Sequence, residues 1–146
     1  MKIVIQKTHN CVLSVNGTEI SKIGKGLLVF VGVNKNDTIE VVEYIGRKIA
    51  NMRLFKDEQD KINKSVKDVD GEIMVVSNFT LNAVIASGTR PSFSDSAEPI
   101  IAKKLYLDLA EEFRKNGVKN VVTGKFGEHM HLDTTLDGPF NIVIEK

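Results

Sequence analysis

The stretch Ser77-Asn78-Phe79-Thr80 sets a hydroxyl, a carboxamide and a second hydroxyl directly behind the apolar run Ile73 to Val76. Polar groups that follow a buried run emerge at the end of a strand. There they can hold an ester carbonyl or ribose hydroxyls, and exposed backbone N–H groups can receive an oxyanion. An ordinary strand end with polar caps has the same composition. Arg90, in Gly88-Thr89-Arg90-Pro91-Ser92-Phe93, can hold a phosphate or stand solvated on a surface turn. Asp137-Gly138-Pro139-Phe140 reads as a turn between two strands. A cis bond is open to it at an intrinsic cost of about 0.5–1 kcal/mol. His129, His131 and Asp133 alternate, so a strand would present all three on one face, either as zinc or iron ligands or as a solvated edge opposite Met130, Leu132 and Leu136.

Other chemistry finds less support. Gly24-Lys25-Gly26 lacks the spacing and the Ser or Thr of a phosphate-binding P-loop. No Gly-x-Ser-x-Gly elbow offers a hydrolase nucleophile. Cys11 has no glycine or helix start beside it and reads as packing.

The elements that must position these groups follow from the patterning. Ile3 to Lys7 alternates as a strand. Val12 to Val15, Asn16-Gly17 and Thr18 to Ile23 form a hairpin pattern, with two turn residues that tolerate positive φ. Gly26 to Val33 is a strand-length apolar run suited to a central strand buried on both faces. Asp37 is placed to cap a helix whose stripe is Val42, Ile45, Ile49 and Met52. Strands are expected at Arg53-Leu54-Phe55 and Ile73 to Thr80, followed by a polar stretch from Leu81 to Asp95. A second helix should run from Pro99 to Asn116 on the stripe Ile101, Leu105, Leu109 and Phe113, stopped by Gly117. Strands near Val118 to Thr123, Met130 to Leu136 and Phe140 to Glu145 complete the chain. This order implies one α+β domain, residues 1–146, with mainly antiparallel sheet and two principal helices.

Composition bounds the function. The 146 residues, 42% apolar and 27% charged, suffice for one core without staples. One cysteine excludes a disulfide framework and points to a reducing compartment. The longest apolar run is too short to span a bilayer, and the polar start is not a secretory signal. Twenty basic against nineteen acidic residues, net +1, exclude a strongly basic nucleic-acid coat but allow a local phosphate site.

Taken together, the segments resemble the D-aminoacyl-tRNA deacylase family, also called D-tyrosyl-tRNA deacylases. The resemblance runs over Ile3-Val4-Ile5-Gln6-Lys7, Gly26 to Val33, Met52-Arg53-Leu54-Phe55 and Gly71 to Leu81. It continues through Gly88 to Phe93, Thr123-Gly124-Lys125-Phe126-Gly127, Met130 and Asp137-Gly138-Pro139. It implies the deacylase-type fold and a cytoplasmic homodimer that cleaves the ester between a D-amino acid and the 3′ end of tRNA. Glycyl esters would be accepted as well. It implies no metal, no organic cofactor, no membrane and no DNA partner. By the same resemblance, Ser77, Asn78, Phe79 and Thr80 form the catalytic stretch, and the N–H groups near Phe79 and Thr80 face the carbonyl oxygen. Lys7, Arg90, Phe126 and Met130 would meet the RNA end. Gly138-Pro139 would be cis and would enter the partner subunit's pocket to exclude L side chains. The ribose 2′-hydroxyl would assist, with no protein nucleophile required.

The chain departs from the family pattern at four places. Asn78 stands for the usual Gln and Lys7 for the usual Arg. Leu136 stands for the usual Asn before Asp137, and Phe140-Asn141 for the usual Val-Thr. Asn78, Lys7 and Leu136 define a rival reading, an RNA-binding paralogue with weakened turnover. A metal-dependent hydrolase using His129, His131 and Asp133 is a third.

Overall fold

The computed structural model describes residues 1–86 and 88–146; Ser87, inside the polar stretch Leu81 to Asp95, lies outside the described residues. The chain is organised around one long strand, β1 (Lys2–Val15), which serves two cores. Its first half sends Ile3 and Ile5 into one core, and its second half sends Cys11, Leu13 and Val15 into another. The expected strands Ile3 to Lys7 and Val12 to Val15 are therefore one element. β1 turns through Asn16 (φ 51°) and Gly17 (φ 78°) into β2 (Thr18–Ile23). Both turn residues are left-handed, as a two-residue hairpin whose twist matches its strands requires.

β3 (Gly26–Gly32) pairs antiparallel with β1 from Lys2 to Thr8, so β2 and β3 share one edge of β1. β8 (His131–Glu145) runs antiparallel along the other edge. Between β3 and β8 lie α1 (Ile39–Asn51), the small β4 (Phe55–Lys56) and β5 (Ile62–Lys64) pair, β6 (Glu72–Ser77), α2 (Pro99–Lys115) and β7 (Val121–Thr123). β6 pairs parallel with β3, and β7 parallel with β6.

The sheet is thus mixed, not mainly antiparallel as expected. The reason is topological. Each helix carries the chain from the end of one strand back to the start of the next, and such a crossover forces parallel pairing. A single α+β domain with two helices is otherwise what the sequence implied.

The helices cover one face of the sheet. Val42, Ile45 and Ile49 of α1 and Leu105, Leu109 and Phe113 of α2 meet Leu27, Val29, Ile73 and Val75. The opposite face of β3 and β6 carries Leu28, Met74 and Val76, buried under Cys11, Leu13, Val15 and Ile23. β3 and β6 are covered on both sides, which explains their continuous apolar runs.

Three local expectations are corrected. Asp37 does not cap α1: Thr38 takes that position, and the Asp37 carboxylate accepts the Asn34 N–H at 2.6 Å and the Met1 ammonium at 2.5 Å. Ile101 lies off the buried stripe of α2 and is 52% exposed. Gly138-Pro139 is not a turn between two strands but lies inside the continuous strand β8. No helix among the described residues is long and apolar enough to cross a membrane.

Candidate active site

β6 delivers Ser77 at its end, and the chain then leaves the sheet through Asn78 into a 3₁₀ turn, Phe79–Asn82. Two hydrogen bonds pin this turn onto the end of β3. The Asn78 N–H donates to the Val31 carbonyl at 2.8 Å, and the buried Asn82 side chain donates to the Val33 carbonyl at 2.8 Å. Gly32 lies between them. A Cβ there would sit 2.9 Å from Leu81 Cβ and 3.1 Å from the Asn78 carbonyl oxygen, so only glycine lets the turn approach this closely.

The Phe79 and Thr80 N–H groups open the 3₁₀ turn, and among the described residues neither meets an acceptor. Such leading donors have no partner within their own turn. The Thr80 hydroxyl donates to the Asn78 carboxamide oxygen, which leaves its lone pairs as the free function.

Beside this turn opens a cavity of about 660 Å³. Ser77, Asn78 and Phe79 line it, together with Phe126, Met130 and Leu132 from later in the chain. Phe30 and Val76 contribute from the sheet, while Ser96, Glu98, Pro99 and Ala102 contribute from the start of α2. Phe93 closes over it in a T-shaped contact with Phe79, ring centroids 5.0 Å apart and planes at 75°. Most of the lining is aromatic, aliphatic or sulfur-bearing, with two serine hydroxyls, the Asn78 carboxamide, the His129 imidazole and the Glu98 and Glu128 carboxylates among it; its apolar part suits a flat heterocycle held by stacking.

Behind the wall, the buried Tyr106 hydroxyl donates to the Val75 carbonyl at 2.8 Å and its ring meets Phe126 at 5.9 Å. Burial pushes its pKa up to about 12, against weaker opposing hydrogen bonds with Thr123 and Gly124. Tyr106 thereby ties α2 to the strand that ends in Ser77.

Five of the residues expected at the site therefore line one cavity: Ser77, Asn78, Phe79, Phe126 and Met130. Thr80 is exposed next to it and is not part of the wall. Arg90 is exposed in the loop before the Val84–Ser92 bridge partner and also lies off the wall. Lys7 also lies off the wall. Its side chain is 9% exposed, and its ammonium faces Asp137 of the same chain at 3.2 Å. Gly138-Pro139 is cis, exposed and absent from the wall of its own chain's cavity.

Sequence reasoning missed Phe93, Glu98 and Glu128 as lining residues, and it read His129 as a metal ligand or as part of a solvated strand edge. Phe93 is the one aromatic side chain in the polar stretch Leu81 to Asp95, which was the available signal. His129 lines the cavity, whereas His131 and Asp133 are exposed on β8 opposite Ser14 and Val12. Among the described residues, no group of three His, Cys, Asp or Glu is placed to hold a metal ion. Glu128 pairs with Lys125 at 3.6 Å.

Comparison with known proteins places these features in context. The D-Tyr-tRNA(Tyr) deacylase family profile matches residues 4–145. A D-aminoacyl-tRNA deacylase of Clostridium novyi is 43% identical over 146 residues, covering 100% of this chain and 97% of that protein. One of Thermosipho melanesiensis is 45% identical over the same coverage. Among solved structures, a c-Myc DNA unwinding element binding protein superposes with a TM-score of 0.93 at 36% identity, covering 100% of this chain and 99% of the other. A probable eukaryotic D-amino acid tRNA deacylase superposes with a TM-score of 0.84 at 17% identity, covering 98% and 97%. That last likeness concerns the fold alone.

Proposed function

Because this chain belongs to the D-Tyr-tRNA(Tyr) deacylase family, we propose that it hydrolyses the ester joining a D-amino acid to the 3′ end of tRNA. Relatives more than 40% identical over its whole length carry that activity in their names. The observation that carries the reading is the cavity itself. It brings Ser77, Asn78 and Phe79 together with Phe126 and Met130, which are distant in sequence, around a space of about 660 Å³.

In this reading the terminal adenine lies among Phe79, Phe126 and Met130. Base edges at a single-stranded RNA end are free to enter such a pocket. The ester carbonyl lies at Ser77 to Thr80, where the unpartnered Phe79 and Thr80 N–H groups receive the oxyanion. Water adds to the carbonyl carbon, assisted by the ribose 2′-hydroxyl. The tetrahedral intermediate then expels the ribose 3′-oxygen, which takes up a proton. The products are the free D-amino acid and tRNA with its 3′-hydroxyl restored. An aminoacyl ester is already activated, so positioning and oxyanion stabilisation suffice without a triad. Glycyl esters, having no side chain to exclude, are accepted as well.

The protein acts in the cytoplasm as a two-fold dimer. Gly138-Pro139 lies off its own chain's cavity, and an isologous dimer gives each chain one such segment to place in the other's pocket. There the backbone holds the substrate's amino group and overlaps an L side chain. A test is single-turnover deacylation of matched D- and L-tyrosyl-tRNA, with and without chelator. Rapid turnover of the D ester alone, indifferent to chelator, is the expected result. Binding without turnover would instead establish the RNA-binding paralogue, and loss on chelation the metal hydrolase.

A further inference from the structure

β1 and β8 fall out of step at two adjacent places: His9 is one extra residue on β1 between the pairs Asn10–Thr135 and Thr8–Leu136, and the larger slip follows it. β8 spends four residues, Asp137 to Phe140, between the pairs Leu136–Thr8 and Asn141–Gln6, where β1 spends only Lys7. Four residues against one cannot form a ladder, so the excess lifts away from the sheet as a wide bulge. Gly138 and Pro139 are the middle of that excess, and both are exposed.

The single β1 residue opposite this segment is Lys7, and its ammonium meets both ends of it. The Lys7 ammonium lies 3.2 Å from the Asp137 carboxylate, at the start of the bulge, and 5.0 Å from the centre of the Phe140 ring, at its end. Phe55 flanks the same ammonium at 5.7 Å. The Lys7 side chain is 9% exposed and that of Asp137 34%, so the ammonium is largely shielded while the carboxylate keeps some solvent, and both the ion pair and the cation over a ring gain from that partial shielding. Asp137 also faces His9, at 3.8 Å, and lies within the field of Lys56; His9 and Lys56 are both exposed. Of these three basic side chains, Lys7 is the one that also lies over the Phe140 ring, at the other end of the bulge.

We propose that Lys7 is the positioning residue for the Gly138-Pro139 segment, gripping Asp137 and Phe140 so that the segment keeps the shape that separates D from L esters. The proposal rests on the reading above that this segment makes that distinction. Its physical basis is the demand of exclusion by shape. A backbone element rejects a side chain only when held to within about 0.5 Å of its working position. Anchors at Asp137 and Phe140 leave just two residues between them, and those are a glycine and a ring-constrained proline. Without the ammonium, Asp137 turns to solvent, Phe140 loses its partner, and the segment samples shapes that admit an L side chain. Phe140, an unusual residue after Gly-Pro, acquires a purpose as the second anchor.

The test is a double-mutant cycle of Lys7→Met and Phe140→Leu, with Lys7→Arg as the conservative control. Two readouts are taken: the ratio of single-turnover rates on D- and L-tyrosyl-tRNA, and amide hydrogen exchange of the peptide spanning residues 136–142. Lys7→Met is expected to lower the D-to-L ratio by about tenfold and to speed exchange in that peptide by a similar factor. Exchange along the β1–β3 ladder should not change. Phe140→Leu should act in the same direction more weakly. The double variant should be no worse than Lys7→Met, because both act through one clamp. Lys7→Arg should keep most of the discrimination.

Unchanged exchange in Lys7→Met would overturn the clamp. Faster exchange with an unchanged ratio, or equal slowing of both esters, would overturn its role in selectivity. If the unaltered protein shows no preference for the D ester, the functional reading fails, and the exchange measurement still decides whether Lys7 holds the bulge.

Discussion

Gly32→Ala tests whether the close seat of the 3₁₀ turn on β3 creates the site. The added methyl would meet Leu81 Cβ at 2.9 Å, the Asn78 carbonyl oxygen at 3.1 Å and Asn82 Oδ1 at 3.2 Å. Carbon atoms rest at about 3.5–4.0 Å, so the turn must retreat by roughly 0.6–1 Å. The first two obstacles are a Cβ and a backbone oxygen, and neither can swing aside as a long side chain would. Overpacking of this kind costs about 1–3 kcal/mol, and the strand preference of alanine over glycine returns about 0.5–1 kcal/mol. The net loss of about 0–2.5 kcal/mol lowers the melting temperature by up to roughly 10 °C in a domain of this size. Activity should suffer more. A displacement near 1 Å in a positioned site costs about 100-fold, so single-turnover deacylation of D-tyrosyl-tRNA should fall by about 10–100-fold at temperatures where the protein is fully folded. Gly24→Ala is the control. There a methyl meets only Glu72 Oε2, at 3.7 Å, and rate and melting temperature should both hold. Gly32→Ala with a normal rate and a lowered melting temperature would show that the turn's seat does not set the site's geometry.

Phe79→Ala should raise the KM for D-tyrosyl-tRNA by about 5–150-fold, the worth of one base stacked on an aromatic ring, while leaving the melting temperature nearly unchanged because the ring is 59% exposed. An unaltered KM would place the adenine elsewhere. Thr80→Ala should retain turnover within about tenfold, since its hydroxyl donates to Asn78 and lies off the cavity wall; an acyl-Thr80 adduct caught by mass spectrometry would refute this. Tyr106 gives a pH signature. Its neutral phenol is favoured in the folded state, so its contribution is whole below pH 10.0 and is lost as pH rises toward about 12. Two units correspond to roughly 3 kcal/mol at full titration. Urea unfolding should therefore show the stability of the unaltered protein falling relative to Tyr106→Phe between about pH 10 and 12, and a gap that stays constant across that range would count against a buried neutral phenol.

Local patterns in the chain determined most of the elements and the chemical inventory. Asn16-Gly17 specified a hairpin because two adjacent positive φ angles are cheap only for such a pair. The run Gly26 to Val33 announced a strand covered on both faces, and Ile73 to Thr80 announced a strand whose last residues instead turn into the 3₁₀ segment. The order of segments from Ile3 to Pro139 carries the family resemblance, which singles out Ser77 to Phe79, Phe126 and Met130. Non-local facts decided the rest. Parallel pairing of β3, β6 and β7 depends on where each helix returns the chain, which no alternation within a strand encodes. Asp37 has the composition of a cap, yet its carboxylate is taken by Asn34 and Met1. Phe93 joins the cavity only because its loop folds over Phe79. Lys7 looks like a surface cation in a strand of alternating residues, but the register of β8, four residues against one, buries it between Asp137 and Phe140. Strand register is set by whole-sheet packing, so a charge's partner 130 residues away became legible only in three dimensions.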